Sequence, residues 1–342
     1  MLAKKLTIVV VTYNSMKVLP SFFRHLENAL DGEECSVLVC DNASNDGVKE
    51  FIKECHPNVT LLSSKRNEGY GAALNRGITA CRTQFVALMN PDVFIKNGGF
   101  KELVAFLDEM PMAAGVSGAV IHMPEYNDDI DFNQLLRGQS ISVHFGYCNL
   151  LSRILFYSGI QTKFRQFSFL VPWSLVPACD SISVSRLNGS FGVFRKEALI
   201  DAGMFDPRLF LYFEEDDIAL RLIKKGYKLY VTDRTVILHT PGRGSALSGT
   251  IAVDKILLNS QYLFFKKHRG WLYAWFSFFT IWAVLTIVTV YQLIFNRSGS
   301  EMTASLWKWH LESLLSLGGL PEGTIPDGGK KDVNYIWRKL VS

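Results

Sequence analysis

The sequence of 342 residues is poor in the signatures that several protein classes require. Its six cysteines, Cys35, Cys40, Cys55, Cys81, Cys148 and Cys179, include no CxxC pair, and Cys40 closes an apolar run, Ser36-Val-Leu-Val-Cys40. That pattern excludes a zinc ribbon or a disulfide frame and points to reduced, packed thiols in a cytosolic compartment. The net charge is only +4 and no basic stripe accompanies it, so a nucleic-acid partner is not expected. Neither GxGxxG nor GxxxxGK[ST] occurs, which removes the usual dinucleotide and ATP loops. The N-terminus offers no secretory signal: after Ala3-Lys4-Lys5 a short apolar run is broken by Thr12-Tyr13-Asn14, so the first domain is expected to stay in the cytosol. Internal repeats and low-complexity tracts are also missing.

What remains is a chain that is 48% hydrophobic and 20% charged. Its mean hydropathy of +0.13 calls for apolar surface or a membrane segment. Leu6–Thr12 is β-branched and uncharged, as a strand buried on both faces should be. Ser36–Cys40, Val59–Leu62 and Phe85–Met89 read as further strands. Leu19–Leu30, Val48–Cys55 and Gly71–Cys81 between them carry helical spacing. Alternation of this kind predicts a parallel α/β sheet with right-handed crossovers, in which ligands gather at the carboxyl ends of the strands. The polar clusters fall at those ends: Tyr13-Asn14-Ser15, Asp41-Asn42-Ala43-Ser44 and Asn90-Pro91-Asp92. Residues 123–184 show no period and are expected to form an irregular insertion. A helix ending at Lys224-Lys-Gly226 precedes a strand over Lys228–Thr232.

Four groups of residues invite a chemical reading. Asp92, at a strand end on a proline-restricted turn, could hold a hard cation against phosphate oxygens, though Asn-Pro-Asp is also an ordinary turn. Glu214-Glu215-Asp216-Asp217 lie between apolar runs, where burial raises a carboxylate toward a general base. Read by itself, the block is equally a solvated helix start. His239 ends an apolar strand before a Gly/Pro-rich loop, Thr240–Ser248, with the small residues of a lid; it is a metal ligand or a packed histidine. Asn67-Glu-Gly-Tyr-Gly71 opens a helix whose glycines let a backbone approach phosphate or ribose, or simply turn the chain.

Trp271–Phe295 contains no charged residue over 25 positions and follows Lys266-Lys267-His268-Arg269. It could span a bilayer, lie in its plane or be a buried core helix; the basic flank puts the preceding domain on the cytosolic side. Leu306–Leu317 adds an interfacial-looking stretch.

Taken together and in order, Val9–Ser15, Asp41–Ser44, Asn67–Gly71 with Asn75, Leu88–Asp92, Asn188-Gly-Ser190, Gly203-Met-Phe-Asp206, Phe210–Asp217 and His239 resemble the family 2 glycosyltransferases, inverting enzymes of the GT-A fold. The resemblance implies a Rossmann-like, mostly parallel central sheet flanked by helices, with a C-terminal membrane-associated helical region. Residues 1–250 would be the GT-A domain (1–110 for the nucleotide, 111–250 for acceptor and catalysis) and 251–342 the membrane region. It places Thr12, Tyr13, Asn14, Asp41 and Asn42 on the nucleotide. Asn67, Gly71, Asn75 and Asn90 would support that pocket. Asp92 and His239 would ligate Mg²⁺ or Mn²⁺, with Asn90 standing where the metal motif usually has its first acid. Glu215, beside Glu214, occupies the place of the catalytic base.

The Asn-Pro-Asp form, the Glu-Glu block and the apolar tail are similar to the rhamnosyltransferase branch. That implies transfer of a deoxyhexose from a dTDP-sugar to a lipid-linked or polysaccharide acceptor at the cytoplasmic face of the plasma membrane, with homo-oligomers compatible. The rivals are a non-catalytic nucleotide-sugar-binding scaffold, a transferase using a UDP- or GDP-hexose, a nucleotidyltransferase and a structural membrane protein. The processive-synthase signature QxxRW is absent after the acidic block: Gln134-Leu-Leu-Arg137 lies before it.

Overall fold

The computed structural model describes residues 2–122, 140–144, 173–177, 180–240 and 251–294. The chain divides into two compact units, one built from 1–147, 173–207 and 214–248, the other from 148–172, 208–213 and 249–342.

The first unit is organised on a mixed sheet. Strands β1 (Leu6–Thr12), β2 (Ser36–Asp41), β3 (Thr60–Ser63) and β4 (Phe85–Met89) pair in parallel in the order β3-β2-β1-β4. Every residue of β1 and β4 is buried, which is why both read as unbroken apolar runs. Helices α1 (Leu19–Leu30), α2 (Val48–Cys55) and α3 (Tyr70–Ala80) make the crossovers. Gly77 lets α3 lie against β1: a Cβ there would sit 2.3 Å from Val9 Cγ1.

Beyond β4 the parallel expectation fails. After β5 (Val93–Ile95) and α4 (Gly99–Glu109) come β6 (Ala113–His122), β10 (Phe191–Arg195) and β11 (Lys228–His239). Strand β10 inserts antiparallel between β4 and β6, β6 runs parallel to β11, and β5 and β9 (Ser181–Val184) pair antiparallel with β11. The sheet is therefore mixed: parallel through β3-β2-β1-β4 and again between β6 and β11, antiparallel elsewhere. The stretch expected to be irregular also contains order: β7 (Ser140–His144) and β8 (Trp173–Pro177) form an antiparallel pair. Helices α5 (Lys196–Asp201) and α6 (Glu214–Lys224) complete this unit.

The second unit contains α7 (Ile251–Arg269) and α8 (Trp271–Ile294). Among the described residues no helix is long and apolar enough to cross a membrane, so the spanning alternative raised by the sequence is not supported. Ala274, Ser277, Phe278 and Ile281 of α8 are buried, and together with Leu258, Tyr262 and Phe265 of α7 they line a small cavity. The opposite side of α8 exposes Trp271, Leu272, Phe276, Phe279, Ile287 and Ile294. The loop Pro241–Ser248, the stretch Leu306–Leu317 and Gln134–Arg137 lie outside the described residues.

Candidate active site

At the carboxyl ends of β1 and β2 the chain ties itself into a rigid polar floor. Thr12 Oγ1 donates to Asp41 Oδ1 at 3.0 Å, and Asp41 Oδ2 accepts from the Ser44 backbone at 3.1 Å. Thr12 and Asp41 are wholly buried. Asn14 takes a left-handed φ of 51°, a conformation asparagine tolerates. Its backbone N–H reaches Ser44 Oγ at 2.9 Å while its side-chain oxygen accepts from Asn45 N at 3.0 Å. Tyr13, half-buried, has its N–H on Ser15 Oγ.

The Asn67–Gly71 motif is local geometry first. Asn67 Oδ1 caps the Gly69 N–H at 3.0 Å. Gly69 adopts φ 89°, ψ 167°, a region open essentially only to glycine. Asn42 Nδ2 donates to Gly69 O at 2.9 Å, joining this turn to β2. Gly71 is needed for close approach, since a Cβ there would lie 3.1 Å from Phe205 Cβ. Asn75 is held from both sides: its amide donates to Phe205 O at 2.8 Å and accepts from Phe205 N at 2.9 Å. It supports the site by clamping the loop 203–206. Arg76, which the sequence reading passed over, reaches Asp41 O and Asn42 Oδ1, each at 3.2 Å, and pairs with Glu68. Its signal was available: it follows Asn75 within the same helical motif.

The turn after β4 brings the proposed metal residues together. Asp92 is 3% exposed, and Thr240 holds its carbonyl through both N–H and hydroxyl. His239 lies across the β5–β11 pairing, opposite Val93, and its Nε2 stands 3.6 Å from Asp92 Oδ1. Neighbouring ligands of an octahedral cation, each at about 2.0–2.1 Å, stand roughly 3 Å apart, so this pair would close by about half an ångström to share a divalent ion. Among the described residues no group of three or more His, Cys, Asp and Glu is arranged to hold a metal ion. Asn90 contributes its backbone N–H to Ser190 O at 2.9 Å, fastening the end of β4 to the start of β10.

The four acids of α6 separate by environment. Asp217, fully buried, is bound by Arg221, whose guanidinium also donates to the carbonyls of Ala202 and Met204. It is a structural clamp. Asp216 faces Arg186, with Nε 3.4 Å from Oδ1. Glu214 and Glu215 instead line a small cleft together with Tyr70, Asn188 and Gly189. Burial raises the Glu214 carboxyl well above the ordinary glutamate range, and the neighbouring Glu215 charge adds to it. Burial also raises Glu215, against the opposing pull of Arg186. Gly189 leaves room for that carboxyl, since a Cβ would lie 3.3 Å from Glu215 Oε1.

Tyr70 links the two halves of the site. Its hydroxyl donates to Gly189 O at 3.0 Å. Burial, then the charges of Glu214, Glu215 and Asp92, push that hydroxyl well above its usual value. Tyr70 therefore feels both the acidic block and Asp92. Ahead of α6, Tyr212 and Phe213 hold left-handed φ angles of 68° and 67°, an uncommon conformation for bulky aromatics.

Comparison with known proteins bears on the fold and the family. The chain is 29% identical over 290 residues to the N-acetylglucosaminyl-diphospho-decaprenol L-rhamnosyltransferase of Mycobacterium tuberculosis, covering 78% of this chain and 86% of the relative. The mannosyltransferase of Pyrobaculum calidifontis, solved with GDP-Man and Mn²⁺, superposes with a TM-score of 0.52 at 17% identity, over 92% of this chain and 81% of that one. A structure of GalNAc-T7 with UDP, GalNAc and Mn²⁺ gives 0.52 at 14% identity, over 92% and 57%. These two likenesses establish the GT-A-like fold. Residues 7–173 match the Glycosyl transferase family 2 profile, and the chain accordingly carries a glycosyltransferase family 2 domain.

Proposed function

We propose that the chain is an inverting, metal-dependent glycosyltransferase. It moves a deoxyhexose, L-rhamnose from a dTDP-sugar, to a hydroxyl of a lipid-diphosphate-linked acceptor in cell-surface glycan synthesis. The observation that carries this reading is the cleft that Tyr70 lines with Glu214 and Glu215, with Asp92 near enough to act on Tyr70 and itself 3.6 Å from His239. The acceptor class is supported by the name of the mycobacterial relative.

Asp92 and His239 would hold Mg²⁺ or Mn²⁺, and the cation when bound neutralises charge on the diphosphate leaving group. Thr12, Tyr13, Asn14, Asp41 and Asn42 bind base and ribose at the ends of β1 and β2. Glu215 takes the proton of the acceptor hydroxyl as that oxygen attacks the anomeric carbon from the face opposite the diphosphate, which inverts the centre. Glu214, more strongly held in its neutral form by burial and its neighbour, keeps the second charge off the pair.

The test is a panel of dTDP-, UDP- and GDP-sugars with an N-acetylglucosaminyl-diphospho-polyprenol acceptor, with and without a chelator. Rhamnosyl transfer that stops on chelation and returns with Mn²⁺ or Mg²⁺ is the expected result. Turnover of a UDP- or GDP-hexose alone would redirect the donor assignment. Transfer from no donor would favour a nucleotide-sugar-binding scaffold.

Membrane association at the cytoplasmic face completes the reading. Lys266-Lys267-His268-Arg269 at the end of α7 are followed by the exposed apolar stripe of α8, a pairing of basic and apolar surface suited to an anionic bilayer. The full chain is expected to float with vesicles containing anionic phospholipid and to do so less at high salt. A chain that stays behind with the unbound fraction at low salt would overturn it.

A further inference from the structure

Glu214 and Glu215 are adjacent carboxyls in one cleft, yet their partners differ. Arg186, in the segment between β9 and β10, places NH1 3.2 Å from Glu215 Oε1. Its Nε stands 3.4 Å from Asp216 Oδ1, and NH1 also reaches Leu187 O. The guanidinium is largely buried, with 18% of its side chain exposed. Arg186 also bears on Glu214, but as the weakest of the influences there, and among the described residues Glu214 Oε2 is buried without a hydrogen-bond partner. The charged and titratable groups facing Glu215 are thus Arg186 from the β9–β10 segment, Tyr70 from α3, and Glu214 and Asp216 from its own helix.

Two neighbouring carboxyls lining one cleft disfavour double ionisation, so one proton is held unequally between them. We propose that Arg186 is a positioning residue that orients the Glu215 carboxylate and makes it, rather than Glu214, the ionised member of the pair. The inference rests on Glu215 being the base. Asp216, buried at 5% exposure, occupies the other side of the guanidinium and fixes its orientation. Arginine suits this place because its planar fork grips two carboxylates at once and stays charged at every working pH. Of the influences on Glu215, burial raises its proton affinity most and Arg186 is the leading opposing one. Removing the arginine should therefore leave a base that ionises only at higher pH.

The experiment is the pH dependence of kcat/KM for Arg186→Met, Arg186→Gln and Arg186→Lys in the full chain, with donor binding measured alongside. An arginine beside a carboxylate commonly depresses its pKa by about one unit or more. In Arg186→Met and Arg186→Gln the acid limb is expected to move up by about that amount. That is roughly a tenfold deficit on the acid side, narrowing toward the plateau. Donor KM should stay near wild type, and Arg186→Lys should return the limb most of the way. Arg186→Gln keeps a hydrogen-bond donor and carries the test if Arg186→Met does not fold. A wild-type profile, or a loss of the same size at every pH, overturns the proposal. The failure is separable from that of the base assignment, which falls only if Glu215→Gln remains active.

Discussion

Replacing Glu215 by Gln is expected to lower glycosyl transfer by about 10²–10⁴ while leaving nucleotide-sugar binding within a few-fold of wild type. The substitution conserves shape and keeps contact with Arg186, so it removes proton acceptance and little else. Glu214 stands beside it but is an inadequate substitute, because burial and the neighbouring charges favour its protonated form. The sign of the pH dependence follows from the same environment. A general base works when ionised, and burial lifts the Glu215 carboxyl above the usual glutamate range. Wild-type transfer should therefore fall as pH drops through that raised value, at a higher pH than an exposed glutamate would give. Steady-state rates across pH together with isothermal titration of the donor decide the matter; a Glu215→Gln enzyme with more than a tenth of wild-type turnover sinks the assignment.

Arg221→Ala should be the most damaging single change to stability outside the apolar core, at about 3–5 kcal/mol. Asp217 is wholly buried, and Arg221 supplies it with two hydrogen bonds, Nε at 3.0 Å and NH2 at 2.5 Å. The same guanidinium satisfies Ala202 O and Met204 O, so truncation strands a buried charge and two carbonyls. Removing both charges together, in Asp217→Leu/Arg221→Met, is expected to cost clearly less than Arg221→Ala alone, because no uncompensated ion is left behind. Urea titration of the three proteins measures this. An Arg221→Ala midpoint within error of wild type would show that the pair carries no net stability.

The contrast between Glu215 and Asp217 explains what the sequence could and could not convey. Strand β1, strand β4, α1 and α2 were legible because burial on both faces, or on one helical stripe, writes itself directly into residue type. The polar clusters at the ends of β1, β2 and β4 were legible for the same topological reason. Four consecutive acids were not, because successive helical positions turn by about 100° and each meets whatever the tertiary fold supplies. Asp217 meets Arg221, and that spacing of four could have been read as a pair. Asp216 and Glu215 meet Arg186, which comes from another element and left no local trace. The motif marks Asn75 as supporting the pocket, but not the contact it makes, to the Phe205 backbone 130 residues away. The antiparallel entry of β10 had no sequence signal either, since a short apolar run does not state its direction.

That entry has a consequence for how the protein is made. Met89, the last residue of β4, pairs with Phe191, so about a hundred residues must be synthesised before β4 gains its second neighbour. At roughly 5–20 residues per second, the ribosome leaves that apolar edge open for on the order of 5–20 s after β1–β4 have emerged. An uncovered edge of Phe-Val-Ala-Leu-Met is an invitation to pair with another nascent chain. The interval between the two halves of the gene product is thus a window of chaperone dependence, and slowing translation between residues 90 and 190 would lengthen it.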